Sequence, residues 1–162
     1  MRWILDGYNV ILTDERLAKV AKNDLEAARR ELTATIASNG RLRHEQVLVV
    51  FDGKSAGSAE QIAPNIETRF TGRGETADDF IKRTIGLYRK RRSVFVVSDD
   101  HSIISYAKEC GANVVSGRDF LHSLREPKNG KRTKEPPSEK PAPPMRSDPE
   151  LLRLFKQRKR DD

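Results

Sequence analysis

Val47-Leu48-Val49-Val50-Phe51-Asp52-Gly53 is an unbroken apolar run closed by an acid and a glycine. A run with no polar member suits a strand buried on both faces, the condition of a parallel sheet covered by helices. Two further stretches share the form: Trp3-Ile4-Leu5-Asp6-Gly7, and Val94-Phe95-Val96-Val97-Ser98-Asp99-Asp100. Helical spacing lies between them. Asp24 is placed to cap a helix in which Leu25, Ala28, Leu32 and Ile36 recur, stopped by Asn39-Gly40. Thr76 to Tyr88 reads as a second helix with Ala77, Phe80, Ile81, Ile85 and Tyr88 inward, and a third runs through Ile103, Ile104 and Ala107 to Gly111. Ile66 to Phe70 alternates weakly as a strand, Asn113-Val114-Val115 is a last short strand, and Phe120, Leu121 and Leu124 mark a closing helix. The rhythm predicts a three-layer α/β domain around a mainly parallel sheet over residues 1–125.

The remaining residues differ in kind. The chain has 162 residues with 31 Lys+Arg against 24 Asp+Glu, a net charge of +7. Residues 126–162 hold 11 of those cations, and seven of the eight prolines. Residues 126–147 carry almost no apolar side chains and are expected to form an extended, mobile linker. Asp148-Pro149-Glu150 then opens a short basic helix over 148–162, with Asp148 as N-cap and Pro149 at the first helical position. Leu151, Leu152, Leu154 and Phe155 give it an apolar stripe, and Lys156, Arg158, Lys159 and Arg160 place cations at its C-terminal end. No apolar run reaches the roughly 18 residues of a membrane span. The early charges Arg2 and Asp6 do not suit a secretory signal, and the lone Cys110 excludes an internal disulfide or a cysteine zinc cluster. A cytoplasmic protein with no membrane partner is expected; oligomeric state leaves no mark in the sequence.

The acids carry the chemistry. Asp6, Asp52 and Asp99 each stand at the end of a buried-type strand, the edge of an open parallel sheet where ligands bind. Gly74-Glu75-Thr76-Ala77-Asp78-Asp79 adds three acids at a helix start. Clustered carboxylates repel, so a cation among them is the natural resolution. Oxygen donors without His or Cys favour Mg²⁺ or Mn²⁺ over zinc. A carboxylate-held hard cation in a basic protein suggests hydrolysis of a phosphodiester, with Lys and Arg attracting the polyanion.

Each acid also has an ordinary reading. Asp6-Gly7 and Asp52-Gly53 are turn signals, and Asn9 is either a turn former or a residue that orients a ligand water. Thr76 and Asp79 match a capping box, a role that Asp78 lacks. Glu75 precedes the cap. Asp99 is able to cap the following helix, but Asp100 is the readier ordinary partner. His101 reads as a surface helix residue. Arg89-Lys90-Arg91-Arg92 is either a nucleic-acid patch or a solvated turn.

Asp6-Gly7-Tyr8-Asn9, Phe51-Asp52, Glu75-Thr76-Ala77-Asp78 and Ser98-Asp99, in this order and spacing, resemble the NYN domain family, a PIN-like group of metal-dependent ribonucleases. The likeness is nearest to its bacterial YacP-like branch, covers residues 2–125, and extends to the Glu-Leu-Leu-Arg-Leu-Phe of the tail. It implies a PIN-like α/β/α sandwich and Mg²⁺- or Mn²⁺-dependent endoribonuclease activity. By the same resemblance Asp6, Asp78 and Asp99 are the metal-binding carboxylates. Asn9 holds the first of them or a water, and Asp52 is an outer or second-metal ligand. Glu75, Asp79 and Asp100 are left as acids that would stand behind those ligands without touching the metal.

The leading expectation is therefore an endonuclease of single-stranded RNA, mRNA being the foremost target. Arg69, Arg73, Lys82 and Arg89, Lys90, Arg91 and Arg92 would position the backbone, and Tyr8 would stack a base. The alternative is a non-catalytic RNA- or ribosome-binding adaptor with a relic acidic pocket, docked through the basic tail. A receiver domain is disfavoured because Ser116-Gly117-Arg118 stands where its lysine is needed. A haloacid-dehalogenase phosphatase is disfavoured because Asp6-Gly7-Tyr8 lacks its second aspartate.

Overall fold

The computed structural model describes residues 1–53 and 57–126. The linker and the terminal helix expected over 126–162 lie, Glu126 apart, outside the described residues.

The chain begins with strand β1 (Arg2–Asp6), then three helices, α1 (Gly7–Thr13), α2 (Glu15–Asn23) and α3 (Leu25–Ala37). Strand β2 (Gln46–Phe51) precedes a hairpin of β3 (Ser58–Ala63) and β4 (Ile66–Phe70). Helix α4 (Ala77–Leu87) leads through a 3₁₀ turn at Arg91–Ser93 to β5 (Val94–Val97). Helix α5 (His101–Glu109), strand β6 (Asn113–Val115) and helix α6 (Gly117–Arg125) complete the domain. The six strands form one sheet in the order β3-β4-β2-β1-β5-β6. All neighbours are parallel except β3 and β4.

Strand period two divides the core. Trp3, Leu5, Val47, Val49, Phe51, Phe95 and Val97 face α1, α2, α3 and α6, where Val10, Leu17, Leu32 and Phe120 meet them. Ile4, Val50, Val94 and Val96 face the other way, against Ile81 and Ile85 of α4 and Ile103 and Ala107 of α5. The result is the expected α/β/α sandwich.

Two features departed from expectation. Residues 7–23 form two helices that the apolar periodicity did not announce. Asp6-Gly7 is not a turn: Asp6 caps α1, and Gly7 is its first residue. A Cβ on Gly7 would stand 2.2 Å from Cε1 of Phe51, so glycine lets β2 and the start of α1 approach. Strand β3 was unread because Ser58-Ala59-Glu60-Gln61 is exposed and polar, as the outer edge of a sheet permits.

The topology fixes where a ligand can sit. After β1 the chain adds β2 on one side, and after α4 it returns to add β5 on the other. The C-terminal ends of β2, β1 and β5 therefore bracket the point where strand order reverses.

Candidate active site

The acids lie on that edge, and so do the N-termini of α1, α4, α5 and α6. Helix N-termini present unpaired N–H groups and a partial positive charge, so carboxylates gather there at reduced cost. Asp6 Oδ1 accepts from the backbone N–H of Asn9 at 3.3 Å, and Asp6 Oδ2 from the hydroxyl of Ser98 at 3.4 Å. Asp52 Oδ1 accepts from the N–H of Ala77, first residue of α4, at 2.6 Å and from Thr71 Oγ1 at 3.4 Å. Asp99 Oδ2 accepts from Gly117 N, first residue of α6, at 3.1 Å. Asp100, rather than Asp99, caps α5, taking the N–H groups of Ser102 at 2.8 Å and Ile103 at 3.3 Å.

Asp6 is the electrostatic centre. Burial pushes its carboxyl up to about 6; the Asn9 N–H and the Ser98 hydroxyl pull it back, while the negative charges of Asp52 and Asp100 push it further up. Asn9 joins two strand ends: its N–H donates to Asp6, and its Oδ1 accepts from Asp99 N at 2.8 Å. That is an orienting role rather than the turn its residue type allows.

Asp78 stands on the first turn of α4. Lys82 Nζ lies 3.0 Å from its Oδ2, and Ser102 Oγ of α5 donates to the same oxygen at 3.1 Å. Asp79 points away into the cap, its Oδ2 accepting from Thr76 Oγ1 at 2.8 Å and its N–H donating to Thr76 Oγ1 at 3.1 Å. Glu75 is taken by Arg83, whose Nη2 and Nε lie 2.7 and 3.1 Å from Oε1.

The expected RNA contacts divide. Lys82 and the exposed Arg73 belong to the acid edge. Arg69 lies over the Phe80 ring, 5.6 Å from its centroid, on the α4 side of β4. Tyr8 is half-buried: its ring meets Phe51 edge-on at 5.1 Å and its hydroxyl accepts from Arg29 at 2.9 Å. Packing therefore occupies the ring that was expected to stack a base. Arg89, Lys90, Arg91 and Arg92 precede β5 and so stand at the opposite edge of the sheet, a strand's length from the acids.

Sequence reasoning missed Ser98, Ser102, Thr71 and Arg29. The first two were within reach, since both flank the acid pair at the β5 end; the other two are brought in only by tertiary packing.

The donor chemistry suits a hard divalent cation: oxygens only, gathered on one edge, with a surplus of negative charge around a partly buried carboxyl. The spacing is less complete. Among the described residues, no three His, Cys, Asp or Glu side chains are grouped so as to hold a metal ion as they stand. Several of the oxygens are engaged instead by N–H donors and by Lys82.

A six-stranded, mostly parallel sheet between two helix layers, with acids at the switch in strand order, defines a PIN-like NYN fold. The chain belongs to the YacP-like NYN domain family, whose model matches residues 3–160. It is similar to the uncharacterized protein YacP of Bacillus subtilis strain 168, 29% identical over 164 residues, which span 98% of this chain and 96% of that protein. It is also similar to the crystal structure of Rae1 (YacP) from Bacillus subtilis, with a TM-score of 0.63 and 26% identity over 76% of this chain and 73% of that one. A point mutant of Rae1 matches with a TM-score of 0.64 and 26% identity over 76% and 74% of the two chains. Family membership places the chain among nucleases of the ribonuclease type, which generally depend on a divalent metal and have RNA as substrate or partner. Among the described residues no helix is long and apolar enough to cross a membrane.

Proposed function

We propose that this protein is a metal-dependent endoribonuclease that hydrolyses single-stranded RNA, mRNA foremost, in the cytoplasm. The observation that carries the reading is the partly buried Asp6 carboxyl, raised to about 6 and facing the charges of Asp52 and Asp100 at the switch point of the sheet. Asp6, Asp52, Asp78 and Asp99 are the residues to hold Mg²⁺ or Mn²⁺, and Asp100 adds its charge to theirs. A divalent cation there would supply an acidified water and neutralise charge on the scissile phosphate. The chain's own groups do the rest. Asn9 and Ser98 hold Asp6 in place, Lys82 and Arg73 draw the phosphate backbone to the acid edge, and Asp78 is fixed by Ser102. Cleavage leaves a 5′-phosphate and a 3′-hydroxyl. Residues 1–125 act as the nuclease domain, 126–147 as linker and 148–162 as a basic segment that recruits RNA or a ribosome.

A second reading is a non-catalytic RNA- or ribosome-binding adaptor. It is favoured by the engagement of the acid-edge oxygens with N–H donors and Lys82, which leaves no ready metal trio among the described residues. A mixed-sequence single-stranded RNA incubated with Mg²⁺, Mn²⁺ or EDTA separates the two. Cleavage that requires both metal and Asp6 is expected from the wild-type protein, with none from Asp6→Asn. RNA that is bound but intact in every condition would instead support the adaptor.

A further inference from the structure

We infer that the sheet edge opposite the acids is a second binding surface for the phosphate backbone of RNA, gripping a stretch that never enters the acid edge. This rests on RNA being the ligand, as in the proposed function.

The surface is assembled by register. Arg2 starts β1, between Gln46 of β2 and Val94 of β5. The loop before β2 brings Arg43 to one side of Arg2, and the turn before β5 brings Arg89, Lys90 and Arg92 to the other. All five are exposed. Arg2 is braced, its guanidinium 4.6 Å from the centroid of the Tyr88 ring and its Nη1 donating to the Tyr88 hydroxyl at 2.5 Å. The turn is braced too: Asn113 donates to the carbonyl of Arg92 at 2.7 Å, and Ser93 to that of Lys90 at 2.7 Å.

Pairing sets these cations apart from two of those at the acid edge, although among the described residues Arg73 there forms no ion pair either. At the acid edge, Lys82 is held by Asp78 and Arg83 by Glu75. Among the described residues, Arg43, Arg89, Lys90 and Arg92 form no ion pair with any acid. The nearby Glu45 faces the N-terminal ammonium at 2.6 Å and Glu126 lies 3.8 Å from Arg41, while Glu109, at the end of α5 on this same edge, forms no ion pair with any of the four. Cations that no carboxylate neutralises are those whose counterions a polyanion releases on binding. The four residue steps of β1 put this edge about 13 Å from Asp6 through the sheet, and further around a helix layer. One phosphate cannot touch both. A short RNA would engage one edge, and a longer one both.

The test uses the full-length protein in EDTA, so that binding is read without cleavage. Fluorescence anisotropy measures the affinity for poly-uridine RNAs of about 5 and about 30 nucleotides across a salt series. The variants are Arg89→Gln/Lys90→Gln/Arg92→Gln, and Arg43→Gln as an independent change on the other side of Arg2. Each exposed substitution is accompanied by a thermal melt.

The triple variant should bind the long RNA at least tenfold more weakly. Its log–log salt slope should shrink by about 2, three contacts at roughly 0.7 each. Arg43→Gln should move both in the same direction, and Arg89→Lys/Arg92→Lys should restore the long-RNA affinity. Unchanged long-RNA affinity and slope in the variants, with wild-type protein binding, would overturn the surface and leave the proposed function intact. A wild-type protein that binds neither RNA would overturn both.

Discussion

Lys82 and Asp78 stand one turn apart on α4 with Nζ and Oδ2 at 3.0 Å, and Ser102 of α5 bonds to both. The ammonium thus occupies the neighbourhood of a carboxylate that the proposed chemistry requires. Both side chains are partly exposed, so the pair adds little to stability, within about 0.5 kcal/mol. Lys82→Met should melt close to wild type and bind Mn²⁺ more tightly, by about twofold, because Asp78 loses its competitor. Asp78→Asn should also melt close to wild type but abolish cleavage. Calorimetric titration with Mn²⁺ and an RNA cleavage assay read the two effects separately; a fully active Asp78→Asn protein would remove that residue from the mechanism.

Asp6 carries a stability cost that should be measurable. Its carboxyl is raised from 3.8 to about 6 in the folded state, so the fold binds that proton more tightly than the unfolded chain does. Stability therefore falls as pH rises from about 4 to about 6 and then levels, a loss of at most about 3 kcal/mol. Asparagine caps a helix as well as aspartate and brings no charge. In EDTA, Asp6→Asn should melt above wild type at pH 8, and the difference should vanish near pH 4. Melts across that range decide the matter.

Asp14 behaves in the opposite sense. Burial raises its carboxyl, but the Leu17 N–H at 2.9 Å and the Arg125 guanidinium at 2.6 Å more than offset this and hold it below the ordinary value of 3.8. Its contribution is complete above that value and is lost as pH falls through the lowered one. Asp14→Ala removes the α2 cap as well as the tie to α6 and should cost about 1–2 kcal/mol at pH 7. Asp14→Asn keeps the cap and should cost less. Urea unfolding at pH 7 and pH 3 should show the gap between Asn variant and wild type narrowing at the lower pH.

Gly7→Ala tests the close approach at the base of the site. The added methyl meets the Phe51 ring and should cost about 1–3 kcal/mol. Phe51→Val opens the space, so the double variant should lose less than the two single losses combined. Denaturant titration of the four proteins gives the coupling directly.

Much of this molecule is written in local pattern. The apolar runs at Trp3–Leu5, Val47–Phe51 and Val94–Val97 need no partner to be read, because burial on both faces removes every polar residue. Helix α3 and helix α4 announce themselves by cap and spacing. Helix α1 does not: its seven residues include Gly7, Val10, Ile11 and Thr13, all weak helix formers, and its stability comes from packing and from Asp6. Strand β3 is legible only once β4 is there to pair with it. The acids of the site were legible as positions at strand ends, but not in their partners. That Asp100 rather than Asp99 caps α5 was legible, but that Asn9 ties β1 to β5 depends on side-chain directions that spacing does not encode. The cations before β5 were legible as a basic run, and because they precede that strand they stand at its N-terminal end, away from the acids.

The central strand precedes both of its sheet partners in the chain. Asp6 emerges early, yet β1 pairs only with β2, from residue 46, and β5, from residue 94. Asp99 and Asp100 come a few residues later still. A growing or prematurely ended chain thus carries half an acid edge and an unpartnered middle strand. Cutting power, on the proposed reading, is therefore an all-or-none property of the finished domain.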